Sequence, residues 1–308
     1  MQHIRIGIVG LGKIALDEHV PALRSGEGYD LVAATGKPGR LAGVPCFDTI
    51  EAMLENGPAL DAVAICTPPQ AHHRAAKAAL CRGKHVIMEK PPCVNVDEFD
   101  ELVALARQTD CTLFQTWHVR ETAAVEAAVP WLSARRIRKG RVVWKEDVCV
   151  WHPGQTWIWQ EGGFGVLDAG INAISILTKI LPAPLTVETA RLLIPANCES
   201  PIAAAVAFRM GPDVLIASDF DFRPVAQEHS ITLETDAGRL ALTQNGAVLS
   251  IDGEPVRFEH PQQEYDALYR RFAQLIASGQ SDTDKRPLEL VADIFRLAVR
   301  TAVEPFVE

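Results

Sequence analysis

The fold of this chain is decided by the stretch Ile4-Arg5-Ile6-Gly7-Ile8-Val9-Gly10-Leu11-Gly12-Lys13-Ile14-Ala15. Its apolar run has the length of a β-strand and ends in the spacing Gly10-x-Gly12-x-x-Ala15, after which a helix-compatible segment begins. In dinucleotide-binding folds the first small residue permits a tight turn, the second lets the backbone approach a pyrophosphate, and the third allows close helix–strand packing. Because the N-terminus of the following helix favours an anion, the stretch predicts a nucleotide site.

Further βα units extend this beginning into a sheet. Residues 61–66 are apolar without a break, which indicates a strand covered on both faces. The predicted strands are 4–9, 30–35, 61–66, 84–89 and 112–116, and the helices between them include 49–55, with Asp48 as its cap, and 70–82. This alternation predicts a parallel sheet with crossover helices up to about residue 120.

The pattern changes after residue 120. Helix 121–133 is followed by strand candidates separated by turn signals and interrupted by one helix near 168–180, and two further helices, 264–278 and 288–302, close the chain. The strand candidates are 141–148, 186–194, 202–209, 214–222, 229–235, 238–243 and 247–251. We therefore predict an α/β protein with a Rossmann-type parallel-sheet domain at 1–120. An α+β domain with a mostly antiparallel sheet is predicted at 121–308, and its C-terminal helix can pack back on the first domain.

Composition narrows the class of partner. The net charge of −9 over 308 residues argues against nucleic acid or an anionic membrane as the binding partner. No apolar run approaches the ~20 residues that cross a bilayer, and the chain enters a strand at once, so we expect neither a membrane anchor nor a signal peptide. Seven scattered cysteines without a C-x-x-C pair suit a reducing compartment, and we expect a cytoplasmic protein.

The end of the second strand bears on the choice of cofactor. NAD-selective folds place an Asp or Glu there to bind the ribose hydroxyls, whereas residues 35–40 contain no carboxylate. Lys37 and Arg40 could neutralise the 2′-phosphate of NADP, or they could be solvated loop cations. The missing acid predicts that NADP is accepted at least as well as NAD.

Chemically useful residues follow three predicted strands of the first domain. Thr67-Pro68 comes after one strand, Glu89-Lys90 ends the next, and Trp117-His118 follows the last. Ligands of open α/β sheets bind at these carboxyl ends, so Lys90 and His118 are candidates for acid–base chemistry or binding. The alternatives are a lysine that reaches solvent and a structural histidine.

Two groups in the second half carry further candidates. Asp168 and Asn172 are four residues apart at a helix start and share a face, although Asp168 could be a helix cap and Asn172 a core residue. Residues 144–159 hold four of the six tryptophans, interleaved with polar groups that include Glu146 and His152. Such a block suits sugar binding, since rings cover C–H faces and polar groups bind hydroxyls, or it is a tryptophan-rich core segment. We expect no metal site, because His72-His73 more plausibly opens a helix and the other histidines are dispersed.

Taken together, these motifs resemble the Gfo/Idh/MocA oxidoreductase family. The family marks are the glycine turn at 10–15, Thr-Pro-Pro at 67–69, Gly-Lys-His-Val-x-x-Glu-Lys-Pro at 83–91 and Gly-Gly-x-x-x-x-Asp-x-Gly at 162–170. The chain is similar in more detail to a bacterial branch of aldose 1-dehydrogenases that act on D-galactose and L-arabinose. The segments that carry this similarity are 144–147, 151–155, 157–159, 170–172, 200–204 and 286–293.

The resemblance implies an open sheet in the second domain, often used in oligomer contacts, and hydride transfer from C1 of an aldopyranose to NAD or NADP. Many relatives carry a catalytic histidine four residues after the aspartate, where this chain has Asn172, so Lys90 becomes the leading proton acceptor. Asp168 and Asn172 would orient the sugar and Lys90. Sugar hydroxyls would be bound by Glu146, His152, His118 and Trp151. The cofactor would be held by Gly10, Gly12, Lys13, Ile14, Lys37, Thr67, Pro68, Glu89 and Lys90.

Two alternatives to this function stay open. One is another sugar or polyol dehydrogenase of the same family, of the inositol or glucose type. The other is a non-catalytic NAD(P)-binding sensor, which the joint presence of Glu89, Lys90 and Asp168 argues against. The expected partner is a small aldose, and the expected assembly is a homo-oligomer, most simply a dimer.

Overall fold

The computed structural model describes residues 3–26, 28–37, 39–223, 226–258 and 263–307. The chain divides into two compact units, Met1–His118 with Gln263–Lys285, and Val119–Gln262 with Arg286–Glu308. No helix within the described ranges combines the length and the apolar character that a membrane span needs.

The helices and strands are numbered in chain order. The helices are α1 (Val20–Ser25, preceded by a π-helical turn Ala15–His19), α2 (Ile50–Asn56), α3 (His72–Leu80), α4 (Val96–Gln108), α5 (Ala123–Ser133), α6 (Val148–Trp151), α7 (Leu167–Ile180), α8 (Glu264–Ser278) and α9 (Arg286–Leu297). The strands are β1 (Ile4–Val9), β2 (Tyr29–Thr35), β3 (Cys46–Phe47), β4 (Ala62–Ile65), β5 (His85–Met88), β6 (Leu113–Gln115), β7 (Ile137–Lys145), β8 (Leu185–Pro195), β9 (Ala203–Met210), β10 (Val214–Asp221), β11 (Glu228–Thr235), β12 (Gly238–Thr243), β13 (Val248–Ile251), β14 (Glu254–Pro255) and β15 (Val299–Val303).

The first unit is built on a six-stranded parallel sheet, as the alternating pattern predicts. Its strand order is β3-β2-β1-β4-β5-β6, so β1 lies in the middle and the chain changes direction across the sheet between β1 and β4. Ligands of such sheets bind outside the carboxyl ends of the strands at this switch point. The glycine turn after β1 therefore lies at the expected ligand edge.

Helix α8 belongs to the first unit although it comes late in the chain. Its buried side chains Tyr265, Leu268, Tyr269 and Phe272 join the apolar core formed around β1 and β2. The Tyr29 hydroxyl on β2 donates a hydrogen bond to the backbone carbonyl of Tyr269, at 2.8 Å. This packing brings residues from the last fifth of the chain into the core of the nucleotide-binding unit.

The second unit is built on a nine-stranded sheet in the order β14-β13-β12-β11-β7-β10-β9-β8-β15. The sheet is open and mostly antiparallel, as predicted, and the pairs β7–β10 and β8–β15 are parallel. The buried helix α7 packs against the sheet through Gly170, where an added Cβ would lie 2.8 Å from the ring of Phe220 on β10. A glycine is needed there because helix and strand approach too closely for a side chain.

Three details of the sequence-based prediction are wrong. Residues 299–303 form β15, whereas the sequence predicts a helix up to residue 302. The segment pairs in parallel with the distant strand β8, and its β-branched residues Val299, Thr301 and Val303 alternate as they do in a strand. Residue 148 begins α6 instead of ending a strand, because the Asp147 side chain accepts a hydrogen bond from the amide of residue 149. The cap of α2 is Thr49, whose hydroxyl accepts the amide N–H of residue 52, and not Asp48.

Candidate functional site

The glycine turn joins the carboxyl ends of three adjacent strands. Gly10 has φ +94° and an added Cβ would lie 2.8 Å from the Thr67 methyl group, so the turn packs against the loop that follows β4. The Gly10 amide donates a hydrogen bond to the Thr35 hydroxyl at the end of β2, at 2.9 Å. The side chain of Ala15 is fully buried, as the third small position requires.

Two observations at this turn fit a dinucleotide. A Cβ added to Gly12 would meet no atom within 4 Å, so the space in front of the helix start is open to a ligand. The hydroxyl oxygen of Thr67 is buried, and within the described ranges it has no hydrogen-bond partner. Lys13 and Ile14 follow in the first helical turn, where Lys13 is exposed and pairs with Asp17. Backbone amides, a free hydroxyl and a cation are groups that bind a pyrophosphate.

The end of β2 carries cations and no acid. Gly36 follows the strand with φ +149°, and an added Cβ would press against the Leu11 side chain at 3.3 Å. Lys37 and Arg40 are exposed next to it, so their charges are available to a ligand. Pro38, which stands between Lys37 and Arg40 in the chain, lies outside the described residues.

Lys90 is the second residue after β5, it is half-buried, and its peptide bond to Pro91 is cis. The loop that carries it is tied to the loop after β4 by the buried imidazole of His72. One ring nitrogen lies 2.6 Å from the Thr67 carbonyl, and the other lies 2.9 Å from the Pro91 carbonyl. His72 also begins α3, as predicted, so the residue acts in the fold by holding two loops of the candidate site together.

The Glu89 side chain points into the first unit's interior and is 4% exposed. Its carboxylate accepts hydrogen bonds from the His19 Nε2, at 3.1 Å, and from the Tyr265 hydroxyl, at 3.0 Å. Burial alone would raise the pKa of this carboxyl, but the His19 hydrogen bond and the charges of His19, His118 and Lys90 lower the pKa to about 2. Glu89 is therefore a buried anion surrounded by protein donors.

His118 lies in the same unit, close to Glu89's partners. Its ring stacks on Tyr265 with centroids 5.7 Å apart, and its Nδ1 lies 2.5 Å from the Glu264 carboxylate. Burial opposes the charged imidazolium, yet the hydrogen bond to Glu264 and the charges of Glu264 and Glu89 raise the pKa of His118. The structure thus surrounds the predicted binding residue His118 with carboxylates.

In the second unit, Glu146 follows β7, and its carboxylate is hydrogen-bonded to two histidines. One carboxylate oxygen lies 3.1 Å from Nε2 of His152, and the other lies 3.0 Å from Nε2 of His229 on β11. Trp144 stacks on the His229 ring with centroids 4.5 Å apart. Burial alone would raise the pKa of the Glu146 carboxyl, but the two imidazole hydrogen bonds lower the pKa to about 2.

This arrangement leaves a hydrogen-bond acceptor for a polar ligand. An ionised carboxylate only accepts hydrogen bonds, so both histidines donate to Glu146 through Nε2. Among the described residues, the buried Nδ1 of His152 has no hydrogen-bond partner. A neutral imidazole held in this way presents Nδ1 as an acceptor for a ligand hydroxyl.

Asp168 and Asn172 occupy the first two turns of α7 and are 2% and 8% exposed. The glycines before them permit close packing, since a Cβ on Gly163 would lie 2.2 Å from the Trp157 carbonyl and one on Gly165 would lie 2.2 Å from the Pro201 carbonyl. Val166 is the cap of α7, so Asp168 is not. The buried Oδ1 of Asn172 has no hydrogen-bond partner within the described part of the chain.

The structure joins some of the predicted site residues and does not join others. It brings Glu146 and His152 into contact, whereas the Trp151 side chain is 45% exposed on α6. Sequence reasoning missed His229, His19, Tyr265 and Glu264, which contact the candidate residues from distant segments without any local spacing signal. Among the residues that the structure describes, no cluster of three His, Cys, Asp or Glu side chains could hold a metal ion.

Comparison with known proteins gives matches over part and over all of the chain. Residues 4–116 match the family model described as GFO_IDH_MocA, an oxidoreductase family with an NAD-binding Rossmann fold. The chain is 45% identical over 314 aligned residues to the galactose 1-dehydrogenase of Pseudomonas fluorescens, covering 99% of each chain.

Solved structures agree with these matches. A crystal structure of D-galactose-1-dehydrogenase from Rhizobium etli is 46% identical, with a TM-score of 0.93 over 100% of this chain and 99% of that one. A 3-ketoreductase from Actinomadura kijaniata, in complex with NADP and TDP-benzene, is 21% identical with a TM-score of 0.86, over 98% of this chain and 100% of that one. At that identity the ketoreductase shows a shared fold only.

Proposed function

Because the chain belongs to the Gfo/Idh/MocA oxidoreductase family, whose nucleotide domain is an NAD-binding Rossmann fold, we propose that it is a D-galactose 1-dehydrogenase. It oxidises C1 of D-galactopyranose to the 1,5-lactone, with NAD(P)+ as hydride acceptor. The observation that carries this proposal is the full-length similarity of 45–46% to two galactose 1-dehydrogenases. C1 of an aldopyranose is a hemiacetal carbon, so its oxidation yields an ester.

Lys90 accepts the proton of the C1 hydroxyl in this proposal. Its half-buried position after β5 places it at the carboxyl edge of the parallel sheet, on the same edge as the glycine turn. Asp168 and Asn172 orient the sugar, and the partnerless Oδ1 of Asn172 accepts a sugar hydroxyl. This division leaves proton transfer to the lysine and positioning to the helix residues.

The cofactor is held by the turn and by the loops that pack on it. The backbone from Gly10 to Ile14, with Lys13 and the hydroxyl of Thr67, binds the pyrophosphate, and Pro68, Lys90 and the backbone of Glu89 line the loops further along the sheet edge. The bound nicotinamide ring supplies the acceptor for the hydride that leaves C1. The protein's own part is to place the sugar carbon and the lysine.

Sugar hydroxyls are bound by Glu146, His152 and His118, and Trp151 covers an apolar face of the ring. The two histidines that contact Glu146 keep its carboxylate ionised and aimed, which suits an acceptor for hydroxyl groups. D-Galactose and L-arabinose share the configuration at C2 to C4, so we expect the same pocket to accept both. Losing the C6 group should change transition-state binding by only ~1–3 kcal/mol.

The substrate is tested by following reduced nicotinamide spectroscopically with D-galactose, L-arabinose, D-fucose, D-glucose, D-xylose and myo-inositol. We expect turnover confined to the first three sugars, which share the galacto configuration. Activity on myo-inositol alone would keep the family and contradict the proposed substrate. Cofactor binding without turnover of any compound would favour a sensor.

The end of β2 predicts that NADP is used at least as well as NAD. In the variant Lys37→Ala we expect kcat/KM for NADP to fall by roughly 10-fold, because a charge-assisted contact to the 2′-phosphate is lost. The value for NAD, which lacks that phosphate, serves as the internal control and should not change. Steady-state kinetics with both cofactors decide this, and a strong preference of the unmodified protein for NAD would contradict it.

We also propose that the protein works in the cytoplasm as a homodimer. All seven cysteines are free, which suits a reducing compartment. The dimer is suggested by the family resemblance, and the exposed apolar side chains of Leu215 and Val299 on the second unit's sheet are compatible with a covered face.

A further inference from the structure

The two oxygens of the Glu89 carboxylate have different partners. Oε1 accepts hydrogen bonds from His19 and Tyr265, at 3.1 and 3.0 Å. Oε2 accepts the backbone amide N–H of Lys90, at 3.1 Å. One side of the carboxylate is thus held by buried side chains, and the other side holds the backbone of the residue proposed to accept the proton.

The side chains on Oε1 come from two segments far from Glu89 in the chain. His19 ends the π-helical turn Ala15–His19 and is 1% exposed. Its second ring nitrogen lies 2.7 Å from the hydroxyl of Tyr269, which stands four residues after Tyr265 on the same face of α8. The glycine-turn helix and α8 therefore converge on a single carboxylate oxygen.

We propose that His19 and Tyr265 are positioning residues that fix the backbone of Lys90 through Glu89. The inference rests on the proposed role of Lys90 as proton acceptor. With Oε1 held by two donors, the carboxylate cannot rotate, and Oε2 stays directed at the Lys90 amide. Removing either donor leaves Oε1 with the other donor alone, so the carboxylate, and through it the Lys90 backbone, is held less firmly.

Titratable or charged groups face Glu89 from every element packed around it. They are His19, Cys66, His72, Lys90, His118, Tyr265 and Tyr269. Burial raises the pKa of the Tyr265 phenol, and the Glu89 charge raises it further, so the phenol stays protonated and donates to the carboxylate. Tyr265 therefore remains a donor to Glu89 throughout the neutral pH range.

The first test compares Tyr265→Phe with the matched control Tyr29→Phe. Both tyrosines are buried in the same core, and both hydroxyls donate one hydrogen bond, but that of Tyr29 goes to a backbone carbonyl. We expect Tyr265→Phe to lower kcat with D-galactose by about 10-fold while KM and the cofactor Kd stay nearly unchanged. Tyr29→Phe should change kcat by no more than about twofold, because the Tyr29 hydroxyl donates to a backbone carbonyl and not to Glu89.

A second readout does not depend on activity. The lowered pKa of Glu89 stabilises the fold above the unfolded-state value of ~4.3, and this contribution is lost as pH falls toward the folded-state pKa. Removing the Tyr265 donor raises the folded-state pKa of Glu89, so the carboxylate stabilises the fold less at neutral pH. The Tm values of the unmodified protein and of Tyr265→Phe therefore converge in acid. We expect the Tm deficit of Tyr265→Phe to shrink as pH falls from about 4 toward the folded-state pKa of about 2, and that of Tyr29→Phe to stay constant.

Two variants of His19 test the other hydrogen-bond donor to Oε1 of Glu89. The amide nitrogen of glutamine reaches the place of Nε2, so His19→Gln keeps a donor to Glu89, whereas the shorter His19→Asn reaches only the Nδ1 side, toward Tyr269. We expect His19→Gln to retain most of kcat and His19→Asn to lose about 10-fold.

The outcomes separate this inference from the proposed function. If Tyr265→Phe and Tyr29→Phe have equal kcat, or both His19 variants lose activity equally, the positioning role is overturned although the enzyme remains an aldose dehydrogenase. Absence of turnover in the unmodified protein overturns the proposed function and with it the role of Lys90. The Tm values could still converge in acid in that case, which would show only that the Glu89 hydrogen bonds exist.

Discussion

Replacing Lys90 by alanine is expected to lower kcat with D-galactose by roughly 100- to 10,000-fold, the range that a single general base contributes. The cofactor Kd, measured by fluorescence titration, should rise by no more than about 10-fold, because Lys90 is one of several groups proposed to hold the cofactor and the turn that binds the pyrophosphate is untouched. The variant keeps the backbone amide that donates to Glu89, so the fold around the site is retained. The loss would therefore report the side chain alone.

The matched control is Lys84→Ala, which removes a lysine at the opposite end of the same strand. Lys84 directly precedes β5 and Lys90 follows it, and both are half-buried. Normal kinetics in the control, with loss only in Lys90→Ala, would tie the effect to the carboxyl edge of the sheet. Near-normal turnover of Lys90→Ala would remove this residue as the proton acceptor.

For Glu146→Gln we expect the KM for D-galactose to rise by roughly 10- to 100-fold with a smaller change in kcat. The carboxylate accepts hydrogen bonds from His152 and His229, and an amide can accept from only one of them through its single oxygen. The amide therefore no longer fixes the orientation of both imidazole rings. A charge-assisted hydrogen bond to the sugar hydroxyls is lost as well, and such bonds contribute about 1.5–3 kcal/mol. The substitution should therefore weaken substrate binding more than it slows the chemical step.

Asp221→Asn provides the control for this change. Asp221 is a buried carboxylate on the neighbouring strand β10, and it pairs with Arg223 instead of histidines. Both variants remove one buried negative charge at the ends of two adjacent strands, so a general loss of stability would appear in both. Steady-state kinetics over a range of galactose concentrations would contradict the binding role if Glu146→Gln had the KM of the unmodified protein.

Particular residues show where sequence reasoning succeeded. The glycine turn and the parallel sheet are confirmed because they depend on local spacing and on apolar runs, which neighbouring residues along the chain supply. The open, mostly antiparallel second sheet is confirmed as well, since strands separated by turn signals leave few other arrangements. The helix expected at 288–302 was wrong past residue 297, because β15 is stabilised by pairing with β8, about a hundred residues earlier.

The sequence by itself determined the nucleotide-binding fold, the place of Lys90 at a strand end, and the sharing of one helix face by Asp168 and Asn172. Each of these follows from the period of a strand or a helix over a few residues. Only the tertiary structure decided the partners of the two buried carboxylates. Glu89 meets His19 and Tyr265 across 70 and 176 positions, and Glu146 meets His229 across 83. A buried anion needs donors wherever the fold brings them, and no local spacing encodes contacts of that range.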